Sequence, residues 1–347
     1  SFMMVPTGFK RSLNLSLDPF HRGQKLLGYR NLNWLNAAHD PTYMRTILAT
    51  TIMQDYVPAP SANHVRVVIN GESWGIYVNV QPFDNAFVAE RFGEASGRRW
   101  KVPGSPDAHG NLAYLGEDPQ AYQGIYELKS KADAGAYRDL IRLCRTLSQT
   151  SSPELEHELS GILDIDEALR YLALDNLLIN SDSYLARSSD YGLYQGKDGK
   201  FALIPHDVDE TFNVFETGPG ESRVGIELDP LAGADNPERP LIAKLLSVPV
   251  WRRRYLSLLL NMAEKWLNWE RLSPIVSAHE RMIREELQRD TRKLTTFGEF
   301  SAGLDAGFVR EGHCGKERVL GLKSFVEQRR AYLLEHPAFG ELTRAKR

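Results

Sequence analysis

Hydrophobic and polar positions change their rhythm about a third of the way along the chain. Before that point short β-favouring runs dominate. Val65-Arg66-Val67-Val68-Ile69 and Trp74-Gly75-Ile76-Tyr77-Val78-Asn79-Val80 flank Asn70-Gly71, a dipeptide that tolerates the left-handed backbone of a tight turn and therefore predicts a β-hairpin. Asp40-Pro41 predicts a helix over residues 41–53, with Asp40 as its N-cap and Pro41 at its first position; Pro58 and Pro60 stop it. Residues 104–124 are rich in Pro, Gly, Asp and Asn and read as a long loop, which leads into a strand at 125–129.

Beyond residue 136 the apolar spacing becomes helical, over 137–147, 153–163 and 165–179. The last of these places Leu169, Leu172, Ala173, Asn176 and Ile179 on one stripe, as in a core helix. Residues 217–239 read as a Gly-, Pro- and acid-rich loop, and helices are expected at 241–247, 250–267, 272–291 and 316–335. Strands followed by helices predict an α+β fold of two lobes, a β-rich one over residues 1–130 and a mainly helical one over 131–347.

Composition narrows the class without naming a chemistry. With 347 residues, 42% of them hydrophobic and 25% charged, the chain can bury a two-lobed core and is not disordered. A net charge of −3 supplies no basic face for collecting phosphates, which argues against general binding to nucleic acid or an anionic membrane. Arg98-Arg99 and Arg252-Arg253-Arg254 read as solvated faces, and the longest apolar runs, such as 256–262, are too short to span a bilayer. The two cysteines make no disulfide framework; Cys144 falls in a helical pattern as a buried thiol, and a pairing with Cys314 stays open. No secretory leader is expected, and the start at Ser1-Phe2-Met3-Met4 reads as a trimmed end.

The chemistry concentrates around a second hairpin. Strands at 191–194 and 201–204, joined by Gly196-Lys197-Asp198-Gly199, return the chain to its starting point, so Asp182 and Asp190 before the hairpin meet Asp207 and Asp209 after it. Four carboxylates in one place repel unless a cation lies among them, and oxygen ligands suit Mg²⁺, Mn²⁺ or Ca²⁺ better than Zn²⁺. Asp207 and Asp209 alternate along an extended segment, so they can face one ion only across a kink.

A catalytic Asp, a metal ligand, a hairpin and a second metal-binding Asp follow one another as in protein kinases. Yet the chain has no His-Arg-Asp, Asp-Phe-Gly or Gly-rich GxGxxG signature. It resembles instead the CotH (spore coat protein H) kinase family, an atypical secreted branch of the kinase-like fold. The resemblance rests on Lys10-Arg11-Ser12-Leu13-Asn14-Leu15-Ser16-Leu17-Asp18, Leu32-Asn33-Trp34-Leu35-Asn36 with Asp40-Pro41, Val67-Val68-Ile69-Asn70-Gly71 leading to Trp74-Gly75-Ile76-Tyr77, Trp100-Lys101, Asn180-Ser181-Asp182 and Pro205-His206-Asp207-Val208-Asp209.

What the resemblance implies is an ATP- and Mg²⁺- or Mn²⁺-dependent kinase that phosphorylates Ser or Thr of a protein outside the cell or in its envelope. Asp182 matches the family's catalytic Asp and Asp207 its metal-binding Asp, with Asp209 a secondary ligand or structural acceptor. Asp190 stands where the family often has Asn, and reads equally as a ligand whose added charge tightens the ion or favours Ca²⁺ and as a surface Asp starting a strand. His206 replaces the family's Trp and is expected to be packed or exposed and not a metal ligand. Lys101 and Lys129 are equal candidates for the nucleotide phosphates, and Gln81 stands where the family often has Glu. Gln81, Asp190 and His206 together also fit a non-catalytic binding or assembly module. A nucleotide-sugar transferase reading of Asp-x-Asp is disfavoured, because no βαβ unit with a Gly-rich turn precedes it.

Overall fold

The computed structural model describes residues 5, 7–94, 96–104, 109–131, 133, 135–213, 225–312, 315–340 and 342. Its first sheet is antiparallel, in the order β1-β2-β4-β3: β1 (Leu13–Ser16), β2 (Asn31–Leu35) and, after helix α1 (Arg45–Met53), β3 (Ala62–Ile69) and β4 (Glu72–Val80). Asn70 and Gly71 turn β3 into β4 with φ of 52° and 83°, left-handed geometry that Asn tolerates and that glycine, lacking a Cβ, adopts freely. Helix α1 starts later than predicted. Tyr43 has a φ of 59°, so Pro41 lies in a turn and not in the helix. Asp40 still caps, from five residues upstream, by accepting the Arg45 N–H at 2.8 Å and the Thr42 N–H at 2.9 Å.

A helix that periodicity did not reveal follows. Asp84 accepts the N–H groups of Ala86 and Phe87, and Gly93 ends the helix at a φ of 76°, defining α2 (Asn85–Phe92). The second sheet takes β5 (Arg98–Val102) and, past the one-turn α3 (Gln120–Gln123), the short β6 (Glu127–Leu128). Its other strands come after the helices α4 (Ala136–Gln149), α5 (Ser152–Ser160), α6 (Ile165–Leu178) and α7 (Tyr184–Arg187): they are β7 (Tyr191–Gln195) and β8 (Phe201–Pro205). The order β6-β5-β7-β8 makes β5 the partner of β7, with Lys101 opposite Gly192. Arg99 is not solvated as expected. It is buried, donating to the Phe83 carbonyl at 2.6 Å and to Asn85 Oδ1 at 2.7 Å, and so ties β5 to α2.

From Pro240 onward the described elements are helical apart from one hairpin: α8 (Pro240–Ser247), α9 (Pro249–Trp266), α10 (Trp269–Arg289), α11 (Phe297–Leu304), β9 (Gly307–Gly312), β10 (Gly315–Leu320) and α12 (Leu322–Glu335). The helix expected over 316–335 therefore begins only at Leu322, because 315–320 pair with β9 and pairing overrides the helix propensity of Lys316, Glu317 and Arg318. Thr296 and Glu299 cap α11 reciprocally. Residues 217–224 of the expected loop, and Cys314, lie outside the described residues.

One hydrophobic cluster runs from Ala37 to Phe339 and draws on α1, β5, α4, α6, α9 and α12. Helix α6 is buried around most of its circumference, not along one stripe. Cys144 is buried in this cluster, and burial raises its thiol well above the ordinary value. No helix among the described residues is long and apolar enough to cross a membrane.

Candidate functional site

Helix α6 ends at Ile179, a β-branched residue held at a φ of 50°. That conformation is costly for such a side chain and persists only when its surroundings enforce it. The enforcement is visible. Arg329, buried in α12, donates to Asn176 Oδ1 at 2.8 Å and to the carbonyls of Ile226 and Leu228, while Ser183 Oγ donates to the Asn180 carbonyl at 3.1 Å and buried Asp175 lies beside Ser183, Leu185 and Asn180. The loop that leaves α6 is thus pinned at both ends. It carries Asp182, whose Oδ1 accepts from Ser189 Oγ at 3.2 Å and pairs with Arg187 Nη1 at 3.0 Å.

The β7–β8 hairpin brings the carboxylates together as its sequence predicts. Asp190 enters β7 at a φ of 49° and Asp207 leaves β8 at 50°, so the segment after β8 is kinked and not extended. The kink removes the expected obstacle: Asp209 bonds toward Asp207 instead of pointing away from it. Ile179, Ser188, Asp190, Asp207 and Phe212 all hold left-handed backbones, five of the ten such non-glycine residues described, within one stretch of 34 residues. Strain of this kind concentrates where geometry must be held for function.

Asp190, His206 and Asp207 each present one atom within 4.8 Å of the other two. Two ligands of one ion at the usual 2.1–2.3 Å lie at most about 4.6 Å apart, so small side-chain adjustments would close the three on a shared cation. Two further observations fit a cation. Asp190, only 5% exposed, leaves its Oδ2 without a hydrogen-bond partner, and His206 Nδ1 is buried without one. Gly104 is needed here, since a Cβ on it would come within 2.5 Å of Asp190 Oδ2.

The electrostatics agree. Burial, then the charges of Asp182 and Asp207, push the Asp190 carboxyl up to about 8, with Lys101 opposing. Asp207 is exposed to solvent, yet the bulk of protein around it raises its carboxyl, against the pull of Lys101, and Asp182 and Glu210 raise it further. Asp209 is raised mainly by burial, then by Asp207, Glu210 and Asp40. Burial lowers His206 to about 3, which leaves its ring neutral, with Lys101 and Lys129 adding to the effect.

The remaining predicted residues fall around this centre. Lys101 is the cation whose charge reaches both Asp190 and Asp207, whereas Lys129 pairs with Glu127 at 2.6 Å on a half-exposed edge. Gln81 donates to Glu90 Oε2 at 2.7 Å and accepts from the Ser61 N–H at 3.2 Å. Asp209 stands outside the group of three, close enough to buried Arg45 to share its charge with Asp40 and Glu210.

Leu35, Val80, Phe83, Phe87 and Ile204 wall a cleft between the first sheet and β8, with Asn33, Thr46 and Gln81 as polar points and His206 and Asp207 also in its lining. Sequence reasoning missed this wall because it is assembled from separate elements. It also missed Glu210, which accepts from Ser181 Oγ at 2.8 Å and links the two carboxylate-bearing loops. The Asp84 cap and the Gly93 stop were the available signals for α2, which supplies Phe87.

Residues 8–333 match the family described as CotH kinase protein. The chain is 24% identical over 302 residues to the inner spore coat protein H of Bacillus subtilis (strain 168), covering 85% of this chain and 78% of that protein. It is 26% identical over 256 residues to the inner spore coat protein H-like protein of the same organism, covering 73% of this chain and 68% of the relative.

Proposed function

The chain belongs to the CotH kinase protein family, and from that premise we propose that it transfers the γ-phosphoryl group of ATP to Ser or Thr hydroxyls of a protein. The names of the two Bacillus relatives support an acceptor in a coat or envelope. The observation that carries the reading is continuity: the apolar cleft and the carboxylate cluster share His206 and Asp207. A purine ring in the cleft, against Leu35, Val80, Phe83 and Phe87, would direct its phosphates toward Asp190 and Asp207.

A divalent ion, Mg²⁺ or Mn²⁺, held by Asp190 and Asp207 would neutralise phosphate charge as transfer proceeds. Lys101, whose charge reaches both carboxylates, is the residue suited to the phosphates themselves, ahead of Lys129, which Glu127 engages. Asp182 would orient the acceptor hydroxyl and take its proton once Arg187 moves aside. Because β5 and β6 pair with β7 and β8, the parts closing over the nucleotide would be the first sheet and β8 on either side of the cleft, and not residues 1–130 against 131–347.

A second reading, a non-catalytic module, has one observation in its favour: Gln81 is bonded to Glu90 and orients no lysine. Thermal melts and phosphate incorporation separate the two. Mg²⁺ or Mn²⁺ with ATP is expected to raise the melting temperature, and Asp207→Ala to abolish that rise. Asp182→Ala is expected to keep the rise and lose ³²P incorporation into the protein itself and a Ser-rich acceptor. Nucleotide binding without incorporation in the unaltered chain would establish the module instead.

A further inference from the structure

We propose that His206 is a direct ligand of the cation at Asp190 and Asp207, and that its nitrogen makes the site select Mn²⁺ over Mg²⁺. The inference rests on the metal-binding part of the reading above. It depends on geometry the carboxylates do not share. A ring nitrogen of His206 lies within 4.8 Å of an oxygen of each Asp, no other group of three metal-ligating side chains occurs among the described residues, and His206 Nδ1 is buried with no hydrogen-bond partner. A buried imidazole nitrogen without a partner forfeits a hydrogen bond that a metal would replace. Asp190, 5% exposed, likewise leaves its Oδ2 without a hydrogen-bond partner.

Nitrogen is the discriminating atom. Mg²⁺ demands near-ideal octahedral oxygen coordination and keeps its waters, whereas imidazole suits the first-row transition metals. Two carboxylates and one imidazole are therefore a poor set for Mg²⁺ and an acceptable one for Mn²⁺. The register of the chain makes the arrangement possible. Pro205 closes β8, His206 follows it directly, and the left-handed turn at Asp207 lets adjacent side chains converge on one point, which an extended strand would not allow.

The test uses the full chain with Mn²⁺ and no nucleotide, so that the only nitrogens available belong to the protein. Electron spin-echo spectra of bound Mn²⁺ are expected to show ¹⁴N modulation, which changes to the ¹⁵N pattern when the protein carries ¹⁵N-histidine. His206→Gln is expected to abolish the modulation and to weaken Mn²⁺ affinity by about tenfold or more while leaving Mg²⁺ affinity nearly unchanged. Mn²⁺ bound with no nitrogen modulation in the unaltered chain overturns the role of His206 and leaves the carboxylate site standing. Failure of Mn²⁺ and Mg²⁺ to bind at all overturns both. Because the spectrum of the unaltered chain decides the matter, a variant that does not fold leaves the test intact.

Discussion

At the scale of single residues, the fold spends stability on ionisable groups that it keeps neutral. Glu167, 4% exposed, accepts the Leu203 N–H at 2.9 Å through Oε2, leaves Oε1 buried without a partner, and is raised by burial from 4.5 to about 8. The sign follows from the protons held. Between pH 4.5 and about 8 the unfolded chain has released this proton while the folded chain keeps it, so stability falls as pH rises through that window. Glu167→Gln keeps an acceptor for Leu203 and has nothing to titrate. It is expected to flatten the decline and to gain on the order of 1–3 kcal/mol at neutral pH, read as melting temperature against pH. His64 works in the opposite direction: burial lowers it to about 4, so its contribution is lost as pH falls below about 6.5. Its Nε2 faces the Tyr43 carbonyl at 2.9 Å and must be the protonated nitrogen, which makes Nδ1 the acceptor for His279 Nδ1–H at 3.2 Å.

At the scale of elements, one buried ion pair attaches the N-terminal segment to the end of α10. Lys10 is fully buried, donates to Asp290 Oδ2 and to the Ile76 carbonyl, each at 2.7 Å, and lies over the rings of Tyr43 and Tyr77. Gly75 admits the carboxylate, since a Cβ there would sit 2.1 Å from Asp290 Oδ2. Desolvation dominates at such a pair, and it lowers the lysine's pKa against the pull of Asp290. Asp290→Ala strands the ammonium and is expected to cost about 3–5 kcal/mol in urea unfolding with an unchanged slope. Lys10→Met combined with Asp290→Leu removes both charges and is expected to recover most of that loss; a double variant as unstable as the single one would show that the pair itself, and not the unpaired charge, carries the energy.

At the scale of the whole molecule, the strand pairing of the second sheet crosses the middle of the chain. β5 and β6 precede residue 130, β7 and β8 follow residue 190, and their side chains enter one hydrophobic cluster. A boundary drawn at 130 in the sequence therefore cuts through a sheet. Fragments 1–130 and 131–347 are each expected to lack cooperative thermal unfolding when produced alone, because each exposes a sheet edge and half of an apolar core. Mixed together they are expected to regain a single transition. Independent folding of either fragment, seen as a sharp melt, would contradict the argument.

Local signals were sufficient wherever the partner lies nearby in the chain. Asn70-Gly71 determined its hairpin, the apolar spacing of 165–179 determined α6, and the turn at 196–199 determined that Asp182, Asp190 and Asp207 would converge, since two short strands and a turn leave few alternatives. Only the tertiary structure decided the rest. β5 has no adjacent hairpin partner and becomes a strand because β7, some ninety residues later, offers it a ladder. Residues 315–320 have helical propensity and become a strand because β9 pairs with them. His206 reads as a packed or exposed residue until a left-handed turn at Asp207 brings its ring among the carboxylates. Hydrophobic period and turn chemistry act over a few residues, whereas ladder pairing, burial and the closing of a cleft are set by contacts between distant segments, whose free energy is comparable to or larger than the local preference it overrides.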